Sequence, residues 1–190
     1  MVRRICPRCG SKKVAKILYG MPAMGPELEE QLSKGEIVLG GCCITGCDPA
    51  YHCNKCKKDF GAPTAALEVE TTSFHFSIGG YFDGYQSLTV TKTENGAVMV
   101  YLPGHLLESE TIEKQLSADE WLSFIHRLYR CYIADWKKRY IDPHVLDGTQ
   151  WELIVTFLNG KSLKIYGSNS YPIHWSKLLR AIKTVGVSLK

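Results

Sequence analysis

In the last two thirds of the chain, runs that alternate apolar and polar residues give way twice to runs with a helical period. Phe74, Phe76 and Ile78 mark the alternation within Leu67 to Ile78, and Ser87 to Thr93 and Ala97 to Leu102 continue it around Glu94-Asn95-Gly96. Asn-Gly tolerates the positive φ of a type I′ turn, so these runs predict three antiparallel strands. Ser117 and Glu120 then have capping-box spacing, the hydroxyl placed to accept one backbone N–H and the carboxylate another. The helix that follows should carry Trp121, Leu122, Ile125, Leu128, Tyr129, Tyr132, Ile133 and Trp136 within about 140° of one face, and end before Asp142-Pro143. Trp151, Leu153, Val155 and Phe157 alternate again, Asn159-Gly160 predicts a second two-residue hairpin, and the chain returns through Leu163 and Ile165. Pro172 introduces a last helix with Ile173, Trp175, Leu178, Leu179, Ile182 and Val185, closed by Gly186. The order β-β-β-α-β-β-α predicts an α+β domain, a mostly antiparallel sheet with two helices on one face.

Upstream the pattern is shorter and interrupted. Val14 to Tyr19 and Ile37 to Leu39 read as strands, Pro26 to Lys34 as a short helix with Leu28 and Leu32 on one side and Gly35 as its stop, and Cys53 to Phe60 as a third strand. Gly61-Ala62-Pro63-Thr64 separates this segment from the rest, giving expected domains at 1–61 and 62–190.

Composition sharpens that division. The 190 residues are 45% hydrophobic and 22% charged, close to the globular average, which excludes disorder, collagen and coiled coil as descriptions of the whole. The formal charge of +4 arises entirely in residues 1–60, with ten Lys/Arg against six Asp/Glu, whereas residues 61–190 balance at thirteen each. Seven of the eight cysteines lie in that same first segment. No apolar run approaches the ~18 residues of a membrane span, and no signal-peptide stretch follows Met1-Val2-Arg3-Arg4, so a cytoplasmic location without membrane contact is expected. Clustered thiols in a reducing compartment read as metal ligands rather than disulfides.

Cys6-Pro7-Arg8-Cys9-Gly10 and Cys53-Asn54-Lys55-Cys56 are two Cys-x-x-Cys knuckles, and two such pairs complete the tetrahedral sulfur set that Zn²⁺ accepts. Forty-three residues separate Cys9 from Cys53, yet the longer loop costs only about 1 kcal/mol more to close, small beside the ~10–16 kcal/mol of a structural zinc. These knuckles, with Phe60-Gly61 after the second, look like a zinc ribbon. The runs Lys16-Ile17-Leu18-Tyr19-Gly20-Met21-Pro22 and Gly35-Glu36-Ile37-Val38-Leu39-Gly40-Gly41-Cys42 resemble small bacterial zinc-ribbon proteins of unassigned function, over about 60 residues. The resemblance implies a folded zinc site at Cys6, Cys9, Cys53 and Cys56 and no catalytic residue. The remainder, through Asp147-Gly148-Thr149-Gln150-Trp151 and Gly167-Ser168-Asn169-Ser170-Tyr171-Pro172, is similar to uncharacterised bacterial proteins with the same strand-hairpin-helix ending.

Cys42, Cys43 and Cys47 are left over. They are reduced thiols beside the zinc, or part of a second metal site using Cys42 or Cys43, Cys47, and Asp48 or His52, or groups for ligand exchange with the first site or redox chemistry; neighbouring cysteines such as Cys42 and Cys43 do not easily serve one ion together. A closed four-cysteine site leaves no open position for catalytic water, and no P-loop, nucleophile elbow or His-Glu-x-x-His occurs, so an enzyme is the less favoured class. Arg3, Arg4, Arg8, Lys12 and Lys13 crowd the first knuckle and offer a nucleic-acid surface. Zinc with four thiolates carries −2, however, which reduces the segment's excess to about +2 and gives those cations a local role. The expectation is a structural zinc ribbon serving a protein partner or a homo-oligomer. The alternatives are a nucleic-acid-binding ribbon and an enzyme whose site lies on the second domain, where Tyr81-Phe82-Asp83-Gly84-Tyr85 either lines a ligand pocket or simply forms an aromatic turn.

Overall fold

The computed structural model describes residues 4–80, 84–104, 110–145 and 147–189, so Arg3, Tyr81, Phe82, Asp83 and His105 lie outside the described residues. The chain divides into two compact units, Met1–Thr64 and Ala65–Lys190.

The first unit contains β1 (Val14–Leu18), α1 (Pro26–Ser33), β2 (Ile37–Leu39), β3 (Tyr51–Cys53) and β4 (Asp59–Phe60). They form a sheet ordered β2-β1-β3-β4, in which β1 and β2 are parallel and the other pairs antiparallel. A parallel pair needs a crossover, and α1, with proline in its first turn, supplies it. The single strand expected over Cys53 to Phe60 is instead two strands parted by the second cysteine knuckle. Little is buried here besides sulfur: among the described residues, Pro7, Ala15, Ile17 and Phe60 are the buried apolar residues other than Cys6 and Cys53.

The second unit runs α2 (Ala65–Glu70), β5 (Thr71–Gly80), β6 (Gly84–Thr93), β7 (Gly96–Leu102), β8 (Ile112–Ser117), α3 (Ala118–Tyr129), a 3-10 turn at Ile133–Asp135, β9 (Arg139–Ile141), β10 (Gln150–Phe157), β11 (Ser162–Ser168) and α4 (Trp175–Lys183). Its seven strands are ordered β8-β7-β6-β5-β10-β11-β9, antiparallel except for the β11–β9 pair. The molecule is α+β and mostly strand, with two sheets and four α-helices among the described residues. The simpler β-β-β-α-β-β-α order with two helices is corrected by α2, β8 and β9. No helix among the described residues is long and apolar enough to cross a membrane.

Alternation along β5 fixes the core. Phe74 meets Phe124 of α3 at 5.2 Å between ring centroids, and Phe76 meets Trp175 at the start of α4 at 5.7 Å, which places both helices on one face of the sheet. Leu88, Val90, Met99, Leu153, Val155 and Ile165 complete that buried layer. Gly167 leaves room in it: a Cβ there would collide with the indole of its cross-strand partner Trp151, whose Nε1 donates to the Ser170 carbonyl at 2.9 Å.

Four local expectations are revised. Leu67 to Glu70 belongs to α2 rather than a strand, and the Thr71 hydroxyl fastens the junction, 2.6 Å from the Leu67 carbonyl and 2.8 Å from the Tyr129 hydroxyl. The first hairpin turns at Glu94 and Asn95, with Gly96 opening β7 where a Cβ would strike the Leu116 carbonyl. The second turns through three residues, Leu158, Asn159 and Gly160, the last at φ +76°, as in a type I turn closed by a left-handed glycine. Finally, the capping box at Ser117 and Glu120 forms, but α3 stops at Tyr129. Tyr132 takes a left-handed conformation and the Trp136 indole claims the Cys131 carbonyl at 3.0 Å. Ile133 and Trp136 are therefore buried from a turn rather than from a helix face.

Candidate metal centre

Both knuckles are built on one backbone plan. The Gly10 N–H donates to the Cys6 carbonyl at 3.0 Å, and the Lys57 N–H to the Cys53 carbonyl at 2.8 Å. The Cys6 N–H reaches the Ser11 carbonyl and the Cys53 N–H the Lys58 carbonyl, each at 3.0 Å. Each loop closes on a left-handed residue, Gly10 at φ +70° and Lys57 at φ +56°. Gly10 adopts that conformation freely, while the Lys57 side chain bears a penalty of about 1 kcal/mol. Lys57→Gly should accordingly leave stability unchanged or raise it by about 1 kcal/mol, and Gly10→Ala should lower it by a similar amount. Denaturant unfolding of the metal-loaded protein measures both; a clear loss in Lys57→Gly would show that its side chain does more than tolerate the turn.

The two turns aim four sulfurs at one point. Cys6 Sγ lies 3.7 Å from Cys56 Sγ and Cys9 Sγ 3.6 Å from Cys53 Sγ, and all four sulfurs fall within 4.8 Å of one another. A tetrahedron with Zn–S arms of ~2.3 Å has edges of about 3.8 Å, so the four sulfurs stand at the spacing of a thiolate cage around a metal ion. A disulfide would need about 2.05 Å, and all eight cysteines are free.

Charge within the cluster is unevenly held. Burial pushes the Cys6 thiol up to about 12, although N–H groups of Arg8 and Cys9 lean the other way. At Cys53 burial also opposes ionisation, but N–H groups of Cys56 and Lys55 together with neighbouring thiols outweigh it and bring the group down to about 7. Burial thus opposes ionisation at Cys6 while backbone N–H groups favour it at Cys53, and a cation at the centre would allow all four sulfurs to ionise together.

Other contacts brace the two turns. Asn54 ties the second knuckle to the rest of the unit, its N–H donating to the Lys13 carbonyl at 2.9 Å and its side-chain Nδ2 to the Gly35 carbonyl at 2.8 Å. The Arg4 guanidinium lies 4.1 Å from the centroid of the Tyr51 ring, which packs on Phe60. Arg4 is thereby occupied within the unit, Lys12 and Lys13 are exposed, and Arg8 is half-buried at the first turn. Neither Asn54 nor Lys57 stands out in the sequence; the aligned spacing of Lys57 and Gly10 after the first cysteine of each pair is the available signal.

Cys42, Cys43 and Cys47 are exposed and lie apart from the four-sulfur group, the one group of metal-ligand type among the described residues. Of the side chains named with them, Asp48 accepts from the N–H and hydroxyl of Thr45 at 2.7 and 2.9 Å, and His52 Nδ1 is 2.6 Å from Asp59. Asn169 acts as a turn residue, accepting from the Thr149 N–H at 2.9 Å. No family model matches the chain, and no curated protein matches it.

Proposed function

We propose that the first unit is a zinc ribbon in which Cys6, Cys9, Cys53 and Cys56 hold one structural Zn²⁺, and that the protein acts as a binding module for a protein partner. The observation that carries this reading is the convergence of four thiol sulfurs within 4.8 Å on two matching turns. Four soft ligands in a tetrahedral set favour Zn²⁺, and a full sulfur shell leaves no coordination position for reacting water. The partner role draws support from large apolar side chains that the unit leaves uncovered, Met21 at 91%, Ile44 at 70% and Leu39, on edge strand β2, at 53% exposure.

Metal analysis of protein purified without added metal tests the first half, with one zinc per chain as the expected result. Two per chain would bring Cys42, Cys43 and Cys47 back as ligands, and none after anaerobic purification would refute the site.

A further inference from the structure

The charge balance of the second unit conceals a separation. Residues 65–126 carry nine Asp/Glu and two Lys/Arg, whereas residues 127–190 carry eleven Lys/Arg and four Asp/Glu. The sheet order turns this into a spatial division, because β5 to β8 fill one half of the sheet and β9 to β11 the other. The end of α3, which packs over β7 and β8, and the body of α4 bring cations of the basic sequence half together at a cleft of about 290 Å³ lined by Arg127, Arg130, Cys131, Lys177, Arg180 and Ala181.

Both sides present the same spacing. Arg127, Arg130 and Cys131, at the end of α3 and in the turn that follows it, stand at i, i+3 and i+4, and so do Lys177, Arg180 and Ala181 on α4, so each side offers two cations and one small side chain to the cleft. None of the four cations forms an ion pair among the described residues. Arg127 Nε reaches only the Ser123 hydroxyl at 3.4 Å, and Arg180 Nε the Ser176 carbonyl at 3.2 Å, which leaves the remaining guanidinium N–H groups to point elsewhere. Lys177 sits in the first turn of α4, where the helix macrodipole favours acids, and that turn contains none. Four exposed cations gathered around one cleft without an acidic partner give it a positive potential that favours an anion.

We infer that the α3–α4 cleft is a binding site for the phosphate group of a small molecule. Paired guanidinium forks match phosphate oxygens bidentately, and four positive charges suit a dianion better than a single carboxylate. A volume of about 290 Å³ lies near the lower bound of small-ligand pockets and fits a phosphate or pyrophosphate group with a short substituent. The floor adds no charge of its own, since burial pushes the Cys131 thiol up to about 11 against the opposing pull of Lys177 and Arg180. The site is independent of the cysteine cluster and stands whether or not that cluster holds zinc.

Titration of the full-length protein with inorganic phosphate and with pyrophosphate at low ionic strength, followed by amide chemical shifts, tests it. Saturable shifts centred on residues 127–131 and 177–181 are expected. The exposed pair Arg130→Ala/Lys177→Ala should weaken binding by at least about tenfold, while Lys137→Ala/Lys138→Ala, equally basic and outside the cleft, should leave it within about twofold. Absence of saturable shifts, or an equal loss in both double variants, overturns the inference. So does an oligonucleotide that binds much more tightly than pyrophosphate and is weakened alike by both pairs, because the cations would then belong to an extended polyanion surface.

Discussion

Replacement of Cys53 by serine is expected to empty the sulfur site and unfold the first unit, the largest effect of any single substitution in the chain. Cys53 is fully buried, lies 3.6 Å from Cys9 Sγ, and ends β3, the strand that pairs with both β1 and β4. A serine hydroxyl does not ionise to replace the thiolate, so an ion held by the four sulfurs would keep three ligands and be released. Pro7, Ala15, Ile17 and Phe60 are too small a core to hold some 60 residues, since domains of this size are marginal without a metal or cross-links. The missing ~10–16 kcal/mol of apparent metal-binding free energy has no substitute. Metal content and amide protection over residues 4–61 would both fall to background. Cys42→Ser, at an exposed position outside the cluster, should alter neither. Retention of metal by the Cys53 variant would mean that the ligand set is wrong.

In the second unit, Phe124→Ala should cost about 3–5 kcal/mol, whereas Leu122→Ala should stay within about 0.5 kcal/mol. The contrast follows from where α3 actually faces. Phe124 is fully buried, edge-on to Phe74 at 5.2 Å and near Trp121, while Leu122 is 61% exposed. Truncating Phe124 leaves a cavity between α3 and the sheet, and truncating Leu122 removes side chain that was largely in water. Urea or thermal unfolding of the two variants measures the difference. Equal effects would place the helix in the other rotation.

That pair of residues also shows how far the sequence can be read. Extending the apolar stripe to Tyr132, Ile133 and Trp136 pulls its centre toward Leu122 and leaves out Phe124. Once the helix ends at Tyr129, the stripe turns back to include Phe124. Past Tyr129 the backbone tightens to i→i−3 bonds, Tyr132 turns left-handed and the Trp136 indole takes the Cys131 carbonyl, local and tertiary features that periodicity does not encode. Strand β8 escapes detection for a related reason: Ile112-Glu113-Lys114-Gln115-Leu116 buries only Leu116, so the alternation that reveals a strand is absent from a sheet edge. The four metal-cluster cysteines are legible because knuckle spacing is local chemistry. The α3–α4 cleft is not, because Arg127, Arg130, Lys177 and Arg180 acquire meaning only when two helices distant in sequence are laid side by side.

The rim strands of the seven-stranded sheet bear on how the protein behaves when crowded. At one end β8 exposes Glu113, Lys114 and Gln115 along its length; at the other, β9 is three residues long and carries exposed Arg139. A strand arriving from another molecule would have to bring its backbone alongside these charges, and at β9 it would find a ladder only a few rungs long. Short or charged borders of this kind discourage sheet-to-sheet growth into fibrils. The residues that make β8 hard to recognise are thus the ones that protect the sheet from templated aggregation.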